Sequence, residues 1–405
     1  MKQQLKVCIK AITTPGIRNA VRSLSMHAFL LLKGKTGKTS LPMGVNLIGH
    51  IRGDFGLGES CRLVAGALRL SGLFFTVRNV PVYGDAPETN ESWRTYETGE
   101  LPYGVNVIHL NPDGLANYTW QLGLDTFRNH YNIGFFLWEQ PEFPSKWKCA
   151  IDLMDEIWTP AEFISQAIRR CTDKPVYTMP YGMNRPETLE NCGRRYFGLP
   201  EDPVLFMVSY DGYSSSERKN PLGSVRAYCE AFSKEEPGVG FVLKATHARE
   251  EDLQEICALL EGYPNVVILK GNYSRLEFNS LIACVDVYVS LHRAEGFGLV
   301  MAEAMELGTA VVATDWSANT EFMNEDVACM VPAEVVTLGR NSPPYEKGSH
   351  WASPDERAAA RWMRRLYDDG AFRQEKIRKA QIYIQNKLSQ ARAAEKMKKR
   401  IEELF

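Results

Sequence analysis

The chain alternates between short runs rich in β-branched and aromatic residues and longer stretches with a helical pattern. This alternation is typical of parallel α/β architecture. A charged segment at 183–203 that contains Pro, Gly and Asn interrupts the pattern, which then restarts. We therefore predict two Rossmann-like, doubly wound α/β domains that face one another across a cleft. The predicted strands are 45–51, 74–80, 105–110, 132–138, 156–160 and 176–180, then 204–210, 241–246, 266–271, 285–292, 310–315 and 328–332.

Length and composition agree with this organisation. At ~100–200 residues per domain, a chain of 405 residues suggests two or three domains. No apolar run approaches the ~20 residues of a membrane-spanning helix, and the amino terminus lacks the apolar core of a secretory signal. Nine cysteines without a Cys-x-x-Cys pair argue against a disulfide framework or a zinc site. We predict a cytoplasmic protein without a metal site.

Both ends of the chain are basic. Residues 1–41 carry eight Lys/Arg and no acidic residue, and residues 376–400 carry nine Lys/Arg against Glu395 alone. If the two ends lie near one another, their charge forms one patch that attracts anionic partners. A helix from Gly16 onward would be either a basic amphipathic helix at the inner face of the membrane or a short docking helix. Its apolar face would comprise Ile17, Val21, Leu24, Ala28 and Leu31.

Two glutamates flank a Gly-Phe-Gly turn in the sequence HRAEGFGLVMAEAM, which follows the predicted strand 285–292. We predict a turn over 293–298 and a helix from Leu299 to Leu307 closed by Gly308. Glu295 then lies before the helix and Glu303 one turn inside it, on the order of 10 Å apart. This spacing suits the two sugars of a sugar nucleotide whose diphosphate lies on the helix amino terminus. The alternative is that Glu295 is a helix-start acid and Glu303 a solvated surface residue.

Several motifs in order resemble those of the retaining glycosyltransferases of family four, the glycosyl transferases group 1, which have the GT-B fold. EGFGLVMAE resembles their Glu-x7-Glu motif, and VNLIGHIRGDFGLGESCR is similar to their Gly-rich loop. SERKNP at 216–221 resembles their donor-phosphate patch. Three further motifs resemble those of the family's first domain: FLWEQPEFPSKW, EIWTPAEF and MPYGMN. The family's terminal helix is similar to NKLSQARAAEKMKKRIEEL. The resemblance covers residues ~42–405.

The resemblance implies a division of the chain and a set of site residues. The division is a basic leader at 1–41, an acceptor domain at 42–190, a donor domain at 191–375 and a returning helix at 376–405. Glu295 would contact donor-sugar hydroxyls, and Glu303 would hold the ribose. The remaining donor-binding positions would be the backbone of Phe297, Gly298 and Leu299, and Gly56 and Gly58 of the Gly-rich loop.

Two positions depart from the family pattern. Lys219 matches the donor-phosphate lysine, but the partner arginine is missing from the end of the first strand of the second domain, at 209–211. Arg218 would supply that charge instead. A histidine that often follows the fourth strand is replaced by Glu139, which would bind a sugar or acceptor hydroxyl or serve as a structural acid.

The resemblance implies retention of the anomeric configuration. The sequence has no Asp-x-Asp pair to hold a metal at the diphosphate, so we expect a metal-independent reaction. Arg218, Lys219 and Arg293, with the helix amino termini near Glu59 and Leu299, would offset the charge of the leaving group. The resemblance implies a hexose donor, with GDP-mannose ahead of UDP-sugars. The acceptor would be a lipid-linked bacterial surface glycan, and no nucleic acid is expected.

Other classes remain open from the sequence. An oxidoreductase would need Gly-x-Gly-x-x-Gly after a strand, whereas GFGLVM has methionine at the third glycine position, although Asp315 imitates the ribose acid of that fold. Epimerases and phosphorylases share the GT-B architecture. A non-catalytic nucleotide-binding or scaffolding protein could use the basic ends, but these lack the interleaved aromatic residues of nucleic-acid binders.

Overall fold

The computed structural model describes residues 15–34, 40–82 and 87–405. The first 14 residues of the predicted leader lie outside the described residues, as do the side chains of 15–23. None of the described helices is long and apolar enough to cross a membrane. Every cysteine in the described ranges is a free thiol.

The first sheet has six parallel strands in the order β2-β1-β3-β4-β5-β6. They are β1 (Val45–Gly49), β2 (Phe75–Asn79), β3 (Val105–His109), β4 (Tyr131–Phe135), β5 (Glu156–Thr159) and β6 (Val176–Thr178). The helices of this part are α1 (Pro15–Lys33), α2 (Gly56–Ser71), α3 (Pro112–Leu122), α4 (Leu124–Arg128), α5 (Lys148–Leu153) and α6 (Glu162–Arg169).

The second sheet also has six parallel strands, in the order β12-β11-β10-β7-β8-β9. They are β7 (Val204–Asp211), β8 (Val239–Thr246), β9 (Val266–Lys270), β10 (Val287–Ser290), β11 (Ala310–Thr314) and β12 (Cys329–Val331). The helices are α7 (Ser216–Lys219), α8 (Pro221–Ala231), α9 (Glu250–Leu260), α10 (Arg275–Cys284), α11 (Leu299–Leu307), α12 (Glu356–Asp368), α13 (Gly370–Lys387) and α14 (Gln390–Glu402). Each of the twelve predicted runs overlaps a strand, so the predicted fold class of two parallel α/β sheets is confirmed.

One further pair of strands was not predicted. β13 (Ala333–Thr337) and β14 (His350–Pro354) form an antiparallel hairpin outside both large sheets. The strand β13 has no buried face, and its Val335 is 55% exposed. An exposed strand lacks the apolar signal by which buried strands are recognised, which explains why β13 was not predicted.

The two basic ends pack on opposite faces of the first sheet. Leu47 of β1 belongs to the core that includes Val64 of α2 and Ala394 of α14. The next residue, Ile48, points to the other face and belongs to the core that includes Phe29 of α1. The terminal helix and the described part of the leader therefore do not form the single basic patch considered above.

The leader helix α1 packs through a different face from the apolar stripe of the sequence. Met26 and Phe29 are buried, and the Phe29 ring meets Trp120 edge to face at a centroid distance of 5.0 Å. Leu24 is 70% exposed and Leu31 is 84% exposed, with Ala28 also exposed between them. The helix is thus docked on the first domain, and the described part of its predicted apolar stripe faces outward.

The terminal helix α14 is held on the first domain by a buried ion pair. Arg400 donates from Nε and Nη2 to the carboxylate of Glu156 on β5, with the shortest contact at 2.6 Å. Glu156 has no solvent exposure, and it also accepts hydrogen bonds from Trp158 Nε1 at 2.6 Å and Tyr131 Oη at 3.1 Å. Among the described residues, Arg400 is the cation that pairs with this carboxylate.

Replacing Arg400 with methionine is therefore expected to destabilise the protein by about 3–5 kcal/mol, since a buried carboxylate loses its cation. Urea unfolding followed by tryptophan fluorescence measures this loss. Arg392→Met, at an exposed position on the same helix, is expected to change stability by less than about 0.5 kcal/mol. Adding Glu156→Gln to Arg400→Met is expected to recover part of the loss. Equal effects of the Arg400 and Arg392 substitutions would contradict this account of the helix.

Candidate active site

The turn that joins β10 to α11 depends on glycine. Gly298 caps the helix with φ +93°, a left-handed conformation that side chains disfavour. A Cβ on Gly298 would also lie 2.5 Å from the methyl carbon of Met301. Gly308, at φ +88°, ends the helix. The helix bounds are those predicted from the sequence.

Glu295, within this turn, is buried against two cations. It is 8% exposed, and its Oε1 accepts from Arg218 Nη1 at 3.1 Å and from Lys219 Nζ. Burial by itself would raise the pKa of Glu295, but Lys219 and Arg218 lower that pKa to about 2. The Glu295 amide also donates to Ser317 Oγ at 3.0 Å. Glu295 is therefore a fixed, ionised carboxylate, not merely a helix-start acid.

The two cations come from α7, which directly follows the segment after β7. Asn220 ends this short helix with φ +51°, a conformation that asparagine tolerates better than most residues. Its Nδ2 donates to Leu291 O at 2.8 Å, and its Oδ1 accepts from Gly223 N at 3.2 Å. Arg218 Nη1 in turn donates to Ala294 O at 2.7 Å. The sequence RKN thus ties α7 to the turn that carries Glu295.

The side chains of Arg218 and Lys219 differ in solvent exposure. Arg218 is buried, whereas Lys219 is partly exposed to the cleft. Burial and the neighbouring Arg218 lower the pKa of Lys219, while Glu295 opposes this change. Two cations share one carboxylate here, so the cluster has positive charge available for an anion.

Glu139 lies beyond the end of β4, next to the same cluster. The Tyr345 hydroxyl donates to Glu139 Oε2 at 3.3 Å, and burial raises the pKa of Glu139. A Cβ on Gly296 would lie 3.3 Å from Trp138 O, so the glycine lets the second-domain turn approach the first domain. The structure thus brings Glu139 together with Arg218 and Glu295 across the cleft.

Glu303 is 2% exposed on α11, so its interpretation as a solvated surface residue is wrong. Its Oε1 is paired with Arg275 Nη2, while its buried Oε2 has no hydrogen-bond partner among the described residues. Arg275 Nε also lies 4.0 Å from Glu59 Oε2 of α2, and Glu59 pairs with Arg62 at 2.8 Å. An ionic path therefore joins α11 of the second domain to α2 of the first.

Arg275 was missed in the sequence because nothing local connects it to Glu303. It is the first residue of α10, which begins with a capping box between Ser274 and Glu277. The capping box predicts a helix start, but the contact with Glu303 spans a strand and a turn. Only the fold brings the two residues together.

The Gly-rich loop is closely packed, and hydrogen bonds from the Arg62 side chain hold it in place. A Cβ on Gly58 would lie 2.1 Å from Gly53 O, whereas Gly56 faces open space. Arg62 Nη1 donates to Ile51 O at 3.0 Å and to Gly53 O at 2.9 Å. The loop therefore has space only for glycine at position 58. Gly56 faces open space in which a ligand could lie.

The side chain of Phe297 packs in the core and is not accessible to a ligand. Its ring is buried against Tyr181 at 4.9 Å and Phe322 at 5.1 Å. Only its backbone, with that of Gly298 and Leu299, remains as a candidate for ligand contact at the helix start. In the described ranges no group of three or more His, Cys, Asp or Glu residues is arranged to hold a metal ion.

Comparisons with known proteins bear on this geometry. A family model described as glycosyl transferases group 1 matches residues 212–341, which include both cations and both glutamates of the predicted motif. No curated protein matches the chain.

Solved structures share the whole fold at low sequence identity. HepE from Anabaena, in complex with UDP and glucose, is 12% identical with a TM-score of 0.65, over 89% of this chain and 100% of that chain. Sucrose-phosphate synthase from Thermosynechococcus elongatus is 16% identical with a TM-score of 0.61, over 89% and 99%. WaaG, a glycosyltransferase involved in lipopolysaccharide biosynthesis, is 13% identical with a TM-score of 0.59, over 88% and 99%.

The chain therefore has the GT-B fold, and the segment that carries Arg218, Lys219, Glu295 and Glu303 matches the model of the glycosyl transferases group 1.

Proposed function

We propose that the chain is a glycosyltransferase that moves a hexose from a nucleotide sugar to a glycan acceptor. The observation that carries this proposal is the cluster of Arg218, Lys219 and Glu295 in front of the amino end of α11. Its positive charge and the unpaired N–H groups of the helix start both attract a diphosphate. The family match supports the same activity, since residues 212–341 contain the whole cluster.

The charges of the cluster suit departure of a nucleoside diphosphate. Negative charge develops on the leaving diphosphate in the transition state, and preorganised cations stabilise that charge at little reorganisation cost. We infer a metal-independent, retaining reaction in which the departing phosphate takes the acceptor proton. Such a reaction needs no protein nucleophile, and we assign none.

We infer that Glu303 receives the ribose hydroxyls of the donor. Its unpartnered Oε2 is a buried acceptor, which is costly until a donor group reaches it. Arg275 already occupies Oε1, so a bound ribose shares or displaces that contact. This inference makes nucleotide binding depend on the ionic path between α11 and α2.

Two solved structures of similar fold guide the choice of donor. HepE and the pneumococcal transferase GtfA were each determined with UDP, the first with glucose and the second with GlcNAc. We therefore propose UDP-hexoses alongside GDP-mannose as donors. The acceptor that we propose is a growing, lipid-linked bacterial surface glycan.

A screen of nucleotide sugars read by mass spectrometry tests the function. Release of nucleoside diphosphate from UDP-glucose, UDP-N-acetylglucosamine or GDP-mannose, with transfer to an oligosaccharide mixture, is the expected result. An epimerase would give an isomeric donor without net release of nucleoside diphosphate. A phosphorylase would need inorganic phosphate. Absence of any thermal shift with UDP or GDP would favour a scaffold, and a shift with NAD⁺ alone an oxidoreductase.

The two glutamates are expected to have separable effects. Glu303→Gln should weaken nucleoside diphosphate binding by about 1–3 kcal/mol, because a charged acceptor for the ribose is lost. Glu295→Gln should lower turnover without weakening nucleotide binding, because Arg218 and Lys219 then lose a competing carboxylate. Titration calorimetry and steady-state rates measure the two effects. Glu325→Gln, at an exposed position in the same domain, is the control. Equal loss of nucleotide affinity in both variants would overturn the assignment.

Lys219 is expected to carry much of the stabilisation of the leaving group. Lys219→Ala should lower turnover by ~100-fold or more, because a cation aimed at developing charge is lost. Lys234→Ala, an exposed lysine of the same domain, should leave the rate unchanged. The wild-type rate should survive EDTA. Activity abolished by EDTA and restored by Mn²⁺ or Mg²⁺ would contradict the metal-independent reaction.

We further propose that the outward stripe of α1 attaches the protein to the inner face of a membrane. Leu24 and Leu31 are exposed on a leader with eight basic residues and no acidic one, and such a surface suits anionic lipid. Lipid attachment would bring the enzyme to a lipid-linked acceptor.

The double substitution Leu24→Ser with Leu31→Ser is expected to weaken binding to vesicles of phosphatidylglycerol and phosphatidylcholine by at least ~10-fold, because apolar burial in the lipid is lost. Flotation with the vesicles measures the bound fraction, which should also fall as salt rises. Leu189→Ser, an exposed leucine of the 183–203 segment, is the matched control. Salt-independent binding, or binding unchanged by the double substitution, would count against attachment through α1.

A further inference from the structure

A pocket of ≈ 210 Å³ opens beside Arg218, on the side where the two domains face each other. The first domain contributes the start of α3 at Asp113 and the rings of Trp138 and Trp147. The second domain contributes Arg218 and Tyr345. The pocket is smaller than the roughly 300–1,000 Å³ typical of sites for drug-sized ligands, so it suits a single small ring.

Part of the wall from the second domain is the tip of the β13–β14 hairpin, residues 338–349. Polar contacts next to Tyr345 fasten this hairpin to the first domain. Lys146 Nζ lies 2.8 Å from Glu346 Oε1, and His350 Nδ1 lies 2.8 Å from Glu142 Oε1. Tyr345 itself is buried, with its ring 5.5 Å from that of Trp138. The hairpin therefore closes the pocket on one side.

The lining combines aromatic rings with carboxylates and hydrogen-bond donors. Trp147 is half-buried and meets Trp138 edge to face at 4.8 Å, which leaves an aromatic wall. Asp113 is exposed at the opening of the pocket and can accept hydrogen bonds, as can Glu139. Sugar rings present apolar C–H faces and a rim of hydroxyl groups. These two kinds of surface match an aromatic wall and paired carboxylates, respectively.

The position of the pocket distinguishes it from the donor site. Arg218 lines the pocket and also binds Glu295, so the pocket adjoins the cations assigned to the diphosphate. Lys219, Glu295 and Glu303 are not among the described residues that line it. A ring in this pocket would therefore lie next to the leaving group and share only Arg218 with the contacts assigned to the nucleotide.

We propose that this pocket binds the terminal sugar ring of the glycan acceptor, with the hairpin tip setting which ring fits. The proposal rests on the proposed glycosyltransferase function. In the transfer, the acceptor oxygen forms a bond to the anomeric carbon of the donor hexose as the bond from that carbon to the phosphate oxygen breaks. The acceptor proton leaves with the diphosphate. Asp113 and Glu139 orient the ring by its other hydroxyls.

Saccharide binding without nucleotide tests the pocket directly. The probes are methyl α- and β-glycosides of glucose, galactose, mannose, rhamnose and N-acetylglucosamine, with tryptophan fluorescence as the readout. At least one glycoside is expected to change the emission of the wild-type protein, and Trp147→Phe should remove most of that change. Unchanged emission with every glycoside, or a response that survives Trp147→Phe and Asp113→Asn, would overturn the proposal.

Kinetics separate this proposal from the proposed function. Asp113→Asn and Tyr345→Phe are expected to lower the ratio of transfer to donor hydrolysis by at least about 10-fold, through a higher KM for the acceptor. Val335→Ala, on the exposed face of the same hairpin, should leave the ratio unchanged. Transfer and hydrolysis reduced by the same factor would make the pocket part of the donor site and overturn the proposal. A wild-type protein that hydrolyses no nucleotide sugar would contradict the proposed function, and the fluorescence result would still decide whether the pocket binds sugar.

Discussion

Glu295 is a carboxylate removed from water, and a buried charge is stable only where opposite charge and hydrogen bonds surround it. Much of the geometry of the second domain at the cleft serves that requirement. Asn220 adopts a left-handed conformation so that α7 can direct Arg218 and Lys219 at one oxygen atom. Gly298 also adopts a left-handed conformation, so that α11 can begin a few residues after Glu295. Because the cations are held by Glu295, they stay in place without a bound anion, and a diphosphate then meets charges that are already positioned.

Beside apolar contacts such as that of Phe297 with Tyr181, the two domains meet through polar contacts that ligand groups can replace. Arg275 links Glu303 to Glu59. The β13–β14 hairpin reaches the first domain through the pairs of Glu346 with Lys146 and of His350 with Glu142. The two pairs of the hairpin are accessible to water and contribute little net stability, because binding to the partner replaces binding to water. They are therefore suited to a cleft in which ligand groups replace protein groups. The terminal helix α14 is different, because the pair between Arg400 and Glu156 is buried and lies away from the cleft.

Local patterns in the sequence predict most of the fold and part of the site. The strands of both sheets and the bounds of α11 follow from apolar runs and from the glycines at 298 and 308, which act within a few residues. The strand β13 escaped prediction because an exposed strand has no apolar periodicity, and Tyr345 in the loop that follows it was missed as well. Arg275 escaped because its partner is brought close only by the fold. The docking face of α1 was not predicted, because the helix has apolar residues on two faces, and sequence alone does not tell which face, Met26 with Phe29 or Leu24 with Leu31, meets the protein.

The helix α3 connects the two surfaces proposed for the acceptor. Its first turn carries Asp113 at the pocket, and near its other end Trp120 packs on Phe29 of α1. With 11 residues at 1.5 Å each, α3 is about 16 Å long. A glycan held in the membrane by its lipid would thus have only a short distance to cover between lipid bound to α1 and the pocket beside Arg218. Membrane attachment would then help to orient the acceptor as well as concentrate it, because the lipid end and the sugar end would be held at opposite ends of one rigid helix.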